Sequence, residues 1–244
     1  MQIIEEKMLF LWMNDNFQAP IPRLGSQDVN TVAGSYDTVS FWMYWKGGGW
    51  EAPFGFNSYA LAFTGTANCL GFTIGGSPPA IYGNTLVTTL LGKWAHVVGV
   101  FYNGQESSSK LYINGVSQAL SQCFGSGAPG AITSNAQISG WPWASSYYFE
   151  GSLANVQIYN GSLSQSQVTQ LFNEGIFGLP LTSNTLLVGW YPLSGDANDY
   201  SGWGNNPISY QYITYPPVNG IYTANGLSSI TSSYNEWSSI GISR

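Results

Sequence analysis

Apolar and polar residues alternate with a period of two along most of this chain. In "KWAHVVGVFY" (93–102), Trp94, His96, Val98 and Val100 fall on one face, and Val97 and Phe101 on the other. That two-residue repeat is the signature of a strand. "SYALAFT" (58–64) alternates in the same way, and "TVSFWMYW" (38–45) is β-branched and aromatic, as strands favour. "CLGFTIGG" (69–76) is a short run ending on paired glycines, and "AQISG" (136–140) and "YFEGSLANVQIYN" (148–160) read as two more strands. Asn103-Gly104 and Asn114-Gly115 flank "KLYI". Asn-Gly supplies the positive φ of a tight hairpin, so the spacing predicts three strands joined by two hairpins.

The period lengthens to that of a helix once. Ser164 and Gln167 form a capping-box pattern, Val168, Leu171 and Phe172 form a short apolar stripe, and Gly175 stands at the expected end. A short helix after the last strand is expected to lie against a sheet edge or to seal an opening. Many strands, Gly-rich turns and one short helix predict an all-β fold, a two-sheet antiparallel β-sandwich of jelly-roll type.

Composition narrows the function classes. Only 7% of the 244 residues are charged, with six Lys and Arg in total and a net charge of −6. An average globular domain carries about 25%, and nucleic-acid binding needs a basic footprint that six cations do not provide. The aromatic fraction of 16% excludes a disordered chain. The longest apolar stretch near the start, Met8 to Met13, is far short of a membrane span, and Glu5 and Glu6 do not fit the basic start of a signal peptide. A surface built from Gly, Ser, Asn, Thr, Gln and Tyr suits an extracellular or cell-surface location. Cys69 and Cys123 are then expected to form a disulfide rather than remain two buried thiols.

Catalytic chemistry is not evident. None of the twelve acidic residues falls in a Glu-x-Asp or Glu-x-x-x-Glu pattern on a predicted strand, so no carboxylate pair for glycoside hydrolysis is in view. His96 is the only histidine and reads as a hydrogen-bonded core residue. One His with two distant Cys does not make a zinc site, and "WKGGGW" (45–50) lacks the ending of a phosphate loop. The chain is expected not to be an enzyme. Two loops are dense in aromatics, "GGGWEAPFGF" (47–56) with Trp50, and "GWPWASSYYF" (140–149) with Trp141, Trp143, Tyr147 and Tyr148. They read either as a sugar-stacking or protein-binding platform or as caps on the open ends of the sandwich. Asn160-Gly161-Ser162 is a glycosylation sequon.

Four segments carry a family resemblance. "KWAHVVGVFYNGQESSSKLYINGVSQ" (93–118) resembles the central strands of laminin-G-like, or concanavalin A-like, jelly-roll domains. "FEGSLANVQIYNGSLSQSQVTQLFNEG" (149–175) resembles their closing strand and helix, and "FLWMNDNFQAPIPRL" (10–24) their second strand. "VGWYPLSGDANDYSGWGNN" (188–206) resembles their first strand and its Asp-x-Ser-Gly turn, here displaced behind the helix. The resemblance implies a jelly-roll core over 1–180 and a C-terminal segment, 181–244, carrying the first-strand motif. That segment completes the sandwich in cis, completes a neighbouring subunit in trans, or starts a second repeat. If it completes in cis, strand 186–206 is expected beside residues 9–17, with Trp190 buried between the sheets.

Relatives of this kind hold structural calcium near such turns. Asp196, Asn198, Asp199, Asn205 and Asn206 stand together, and Asp15 lies on the strand expected beside them. The alternative is that these side chains make Asx-turns. The closing strand reads "LANV" where many relatives have Asp before the Val, and "WPW" follows "QISG" where pentraxins carry acidic ligands, which argues against a pentraxin-type phosphocholine site. The resulting expectation is a non-catalytic extracellular structural or assembly protein that associates with itself or with other surface proteins. The alternative is a recognition module binding carbohydrate or protein through loop aromatics.

Overall fold

The computed structural model describes residues 23–24, 29–65, 69–74, 80–126, 129–142, 147–181, 186–209, 220–223 and 227–230. The strands are β1 (Arg23–Leu24), β2 (Tyr36–Trp45), β3 (Phe54–Phe56), β4 (Tyr59–Phe63), β5 (Leu70–Ile74), β6 (Ala80–Asn84), β7 (Trp94–Tyr102) and β8 (Lys110–Ile113). They continue with β9 (Val116–Ser117), β10 (Ser121–Phe124), β11 (Ala136–Ile138), β12 (Gly151–Tyr159), β13 (Leu187–Tyr191), β14 (Pro207–Ser209), β15 (Gly220–Thr223) and β16 (Leu227–Ile230). The helix α1 (Gln165–Glu174) lies between β12 and β13. One sheet has the order β10-β6-β5-β4-β3-β11-β1-β14 and the other β13-β12-β2-β7-β8-β9, while β15 and β16 pair with each other. The architecture is the expected all-β sandwich with one short helix.

The central strands of the six-stranded sheet are buried on both faces, which explains their near-continuous apolar sequence. Val39, Phe41, Met43, Val97, Phe101, Val156 and Ile158 face the inter-sheet core. There the Phe101 ring meets Phe56, Tyr59 and Phe72 edge-on at centroid distances of 5.2, 5.1 and 5.0 Å. Trp45 stacks on Phe63 across the sheets at 4.3 Å. On the outer face, Val98, Val100 and Tyr112 pack with Val168 and Leu171 of α1. The helix begins as expected, with the Ser164–Gln167 capping box and Gly175 as its C-cap. Its place differs from the expectation: it lies on the outer face of the six-stranded sheet, where its apolar stripe covers Val98 and Val100.

Of the two Asn-Gly pairs flanking "KLYI", one makes a tight hairpin. Asn114 (φ 50) and Gly115 (φ 78) turn β8 into β9 with the two positive φ angles that such a turn needs. Asn103-Gly104 instead opens a longer connection containing a 3₁₀ turn at Glu106–Ser108. Asn103 is buried there as an anchor. Its Nδ2 donates to Val32 O at 3.0 Å, and its Oδ1 accepts from Ile132 N at 3.2 Å.

Strand β13, carried by the displaced motif, is the edge of the six-stranded sheet and pairs with β12 of the same chain, with Val156 opposite Tyr191 and Ile158 opposite Gly189. Residues 9–17, its expected neighbour, lie outside the described residues. Trp190 is not between the sheets. Val188 and Tyr191 enter the core, and Trp190 is half-buried on the opposite side. The reason lies in the register of β13 itself. Ile158 stands opposite Gly189 but Tyr159 opposite Leu187, so Val188 is an extra residue in β13; β12 carries its own irregularity against β2 between Ala154 and Gln157, where Asn155 adopts a left-handed φ of 51. A bulge of this kind twists the strand and re-aims side chains, so strict alternation fails beside it.

Candidate functional site

The outer face of the eight-stranded sheet is lined by small residues, Ala60 and Ala62 of β4 with Ala52 just before β3, and Trp141 packs on them at 1% exposure. Tyr147 meets Trp141 edge-on at 5.5 Å and Trp50 at 6.1 Å. Trp50 also meets Phe124 edge-on at 5.3 Å. The backbone locks this cluster: Ala52 N donates to Tyr147 O at 3.0 Å, and Ala52 forms a parallel bridge with Tyr148. Trp50 holds a left-handed φ of 60, which aims its ring toward this group. So the two aromatic loops, about ninety residues apart, meet in one place. Trp141 is the buried foundation, while Trp50, Tyr147 and Tyr148 are half-buried. Trp143 lies outside the described residues.

Phe124 belongs to this cluster and was not singled out from the sequence. It stands next to Cys123, which is joined to Cys69 by a disulfide with the Cα atoms 6.3 Å apart. Cys123 sits where the β10–β6 register slips between Gln122 and Phe124. The bridge therefore fastens the strand carrying Phe124 against the start of β5, beneath the aromatic cluster.

Three ionisable groups are buried and turned inward; Glu51 adjoins the aromatic cluster, whereas Asp37 lies near the opposite end of β2. Glu51 is 3% exposed; its Oε2 accepts from Glu150 N at 2.8 Å and its Oε1 from Trp45 Nε1 at 3.5 Å. Burial raises its pKa to about 7. Asp37 is fully buried, its Oδ1 accepting from Asn30 N at 2.9 Å, and burial raises its pKa to about 7 as well. His96 is a buried core residue on the helix side, as expected. Ser40 Oγ lies 2.9 Å from its Nε2, the rings of Trp42 and Phe172 flank it, and burial lowers its pKa to about 4. Both carboxyl groups face protein rather than solvent.

The turn after β13 uses its acidic groups internally. Asp199 Oδ1 accepts from Trp190 N and Ser201 N, both at 2.9 Å. Its Oδ2 accepts from Ser201 Oγ and Asn205 N, both at 2.8 Å. Asp196 Oδ1 accepts from Asn198 N at 3.0 Å, and its Oδ2 from Asn198 Nδ2 and Tyr200 OH at 2.9 Å each. Asn206 Oδ1 accepts from Asp199 N at 2.9 Å, and Asn205 Nδ2 donates to Val188 O at 2.7 Å. Among the described residues no three His, Cys, Asp or Glu gather at metal-binding distance, and Asp15 lies outside those residues. In this arrangement the carboxylate oxygens of Asp196 and Asp199 accept hydrogen bonds within the turn, as Asx-turns do.

The same bonds cover an edge. Trp190 N and Val188 O point away from β12 and are taken by Asp199 and Asn205, while Trp190 O accepts from Tyr200 N at 2.7 Å. The open side of β13 is thus occupied by its own turn. At the other end of β12, the sequon residue Asn160 is half-buried, its N donating to Leu186 O at 2.7 Å, and Ser162 is exposed.

Comparison with solved structures gives several likenesses. A protein of Bacteroides ovatus whose description names carbohydrate binding matches at 18% identity and a TM-score of 0.50, over 87% of this chain and 62% of its own. Domain 4 of AbnA, a GH43 extracellular arabinanase of Geobacillus stearothermophilus solved with arabinotriose, matches at 25% identity and a TM-score of 0.45, over 68% of this chain and 82% of its own. The LG4-5 domains of the mouse laminin alpha1 chain match at 9% identity and a TM-score of 0.46, over 88% of this chain and 48% of theirs. The chain thus spans less than two thirds of the Bacteroides protein it matches. Comparison with curated proteins gives no match. No helix among the described residues is long and apolar enough to cross a membrane. A family model described as laminin G, concanavalin A-like lectin/glucanases superfamily, matches residues 16–169, more than half of the chain. With its two antiparallel sheets and the strand pattern described above, the chain belongs to the concanavalin A-like lectin/glucanases superfamily, through its laminin-G family.

Proposed function

We propose that this chain is a non-catalytic extracellular recognition module whose ligand is a glycan, held at the Trp50–Tyr147–Tyr148 face. The observation carrying this reading is the convergence of two distant loops on one aromatic cluster built over Trp141. A ring supported from below by a buried Trp and a bed of alanines loses little freedom when a sugar stacks on it, which is how rigid aromatics gain affinity. The turning inward of Glu51, the buried acid beside this face, supports a binding rather than a hydrolytic role. The disulfide supports an oxidising location, hence extracellular or cell-surface. The carbohydrate binding named for the Bacteroides ovatus relative agrees with this reading.

The test is affinity electrophoresis through gels containing neutral or acidic soluble polysaccharides. At least one polysaccharide should retard the protein, and Trp50→Ala should reduce the retardation with no loss of fold by circular dichroism. Free migration through every gel would remove the reading.

A second reading, an assembly subunit that packs against copies of itself, rests on the low charge, which keeps repulsion between copies small. The covered edge of β13 closes one route to it, strand addition along that edge. Native mass decides: a stable oligomer at micromolar concentration favours assembly, and a monomer favours recognition.

A further inference from the structure

We infer that the turn after β13 carries a second glycan-binding site, centred on Trp203, with Tyr200 in the same turn, and suited to neutral sugars. This rests on the reading of the chain as a glycan-binding module but uses different residues. Trp203 is the most exposed aromatic among the described residues at 60%, and Tyr200 is 43% exposed. Neither is loosely held. Trp203 Nε1 donates to Leu187 O at 2.9 Å and its backbone N to Ser201 Oγ at 3.2 Å. Tyr200 OH donates to Asp196 Oδ2 at 2.9 Å, and its backbone N to Trp190 O. With the indole N–H bound to its own backbone, what Trp203 offers a ligand is an apolar ring surface fixed in direction.

The approach to that ring is clear. Gly202 and Gly204 flank Trp203 at φ +95 and +76, and a Cβ built at either would meet nothing within 4 Å. Only glycine holds these angles without strain, and among the described residues no atom stands within 4 Å of an added Cβ on either side of Trp203 in the chain. Exposed Asn198 and Asn206 border the turn, and amide groups suit sugar hydroxyls. A protein partner would need about 800 Å² on each side, more than two rings in a glycine-flanked turn supply, whereas one or two sugar rings match their size. The charge selects further. Asp196 and Asp199 lie in the same turn, and the net charge is −6, so uronic, sialic or sulfated sugars meet a like-charge field while neutral sugars do not.

The experiment measures binding of neutral polysaccharides (arabinan, xylan, β-glucan, galactomannan) and acidic ones (polygalacturonate, heparin) by affinity electrophoresis and tryptophan fluorescence. The proteins are the full chain, Trp203→Ala, Trp203→Phe and Trp50→Ala, with melting temperatures in parallel. Trp203→Ala should weaken binding of a neutral polysaccharide tenfold or more while the protein stays folded at the assay temperature, Trp203→Phe should retain part of it, and Trp50→Ala should leave a residual Trp203-dependent component. Loss on Trp50→Ala with none on Trp203→Ala would overturn this site and leave the Trp50 face standing. Preference for the acidic polymers overturns the assignment to neutral sugars. Failure of every polysaccharide to bind overturns both sites. A concentration-dependent dimer abolished by Trp203→Ala would overturn the site in favour of an interface between copies.

Discussion

The indole Nε1 of Trp190 donates to Oδ1 of Asn155 at 2.8 Å, joining the displaced strand to the bulge in its neighbour. The Asn155 amide makes three hydrogen bonds, for its Oδ1 also accepts from Gln157 Nε2 at 3.0 Å and its Nδ2 donates to Gly178 O at 2.9 Å. One side chain thus ties β12, β13 and the segment after the helix. Asn155 stands where the closing strand "LANV" departs from the Asp of many relatives. An uncharged amide both accepts and donates there, and Asn tolerates the left-handed φ of 51 better than most residues.

Asn155→Ala should therefore destabilise the fold by about 2–3 kcal/mol, since three partners lose their bonds in a buried site. Trp190→Phe should cost less, and the double mutant should show a coupling of about 0.5–1.5 kcal/mol in urea unfolding. Strict additivity of the two changes would mean that the bond contributes nothing.

Stability should rise as pH falls from about 7 to about 4.5. Asp37 and Glu51 have folded pKa values near 7 against ordinary values of 3.8 and 4.5. The folded state holds their protons where the unfolded state has lost them, so their contribution is full below the ordinary values and is lost as pH climbs to 7. His96 works in the other sense. It is neutral in the fold down to about pH 4, so its contribution is present above 6.5 and lost on acidification. Two carboxyl groups against one imidazole leave a net gain on acidification across that window. Asp37→Asn should flatten the slope of melting temperature against pH by roughly one proton's worth. A melting temperature that falls steadily from pH 7 to 5 would refute this balance.

The Cys69–Cys123 bridge closes a loop with a sequence separation of 54. Chain-entropy reasoning gives such a loop a stabilisation of about 4 kcal/mol. Non-reduced intact mass should lie two hydrogens below the thiol form, and Cys69→Ser with Cys123→Ser should lower the melting temperature. The same double change should loosen Phe124 against Trp50 and alter tryptophan fluorescence. Full labelling of both residues by a thiol reagent in the unfolded, unreduced protein would show that no bridge forms.

Calcium at millimolar concentration should leave the melting temperature unchanged, because the carboxylates of the 196–206 turn already hold their own donors. Asp199→Ala should lower the melting temperature in calcium and in chelator alike. A calcium-dependent rise that this substitution abolishes would restore the calcium reading of this turn.

The strands were legible because burial on one or both faces leaves its period in the residues, as in β4, β7 and β12. The helix was legible in its caps, but its place on the outer sheet face was not, since that depends on Val98 and Val100 needing cover from outside the sandwich. Trp190 was misjudged because alternation assumes an unbroken strand, and the extra residue at Val188 breaks it. Asn103-Gly104 was misjudged because the buried bonds of Asn103 to Val32 and Ile132 outweigh its local turn preference. Trp50, Trp141 and Tyr147 could be chosen by composition alone. Phe124 could not, because a disulfide and a register slip bring it there. Trp203 and Tyr200 were hidden inside a motif that also read as a metal turn.

The covered edge of β13 has a consequence for life at high local density. Proteins displayed or secreted in quantity meet their own copies constantly, and bare strand edges are where such crowds seed cross-β aggregates. Here the residues that supply the strand also supply, within about a dozen positions, the side chains that occupy its outward hydrogen-bonding groups. Strand and cover therefore travel as one cassette, and the cassette stays safe wherever it stands in the order of the chain. Removing the cover alone, by Asp199→Ala with Asn205→Ala, should turn a well-behaved protein into one that gels or fibrillates on concentration.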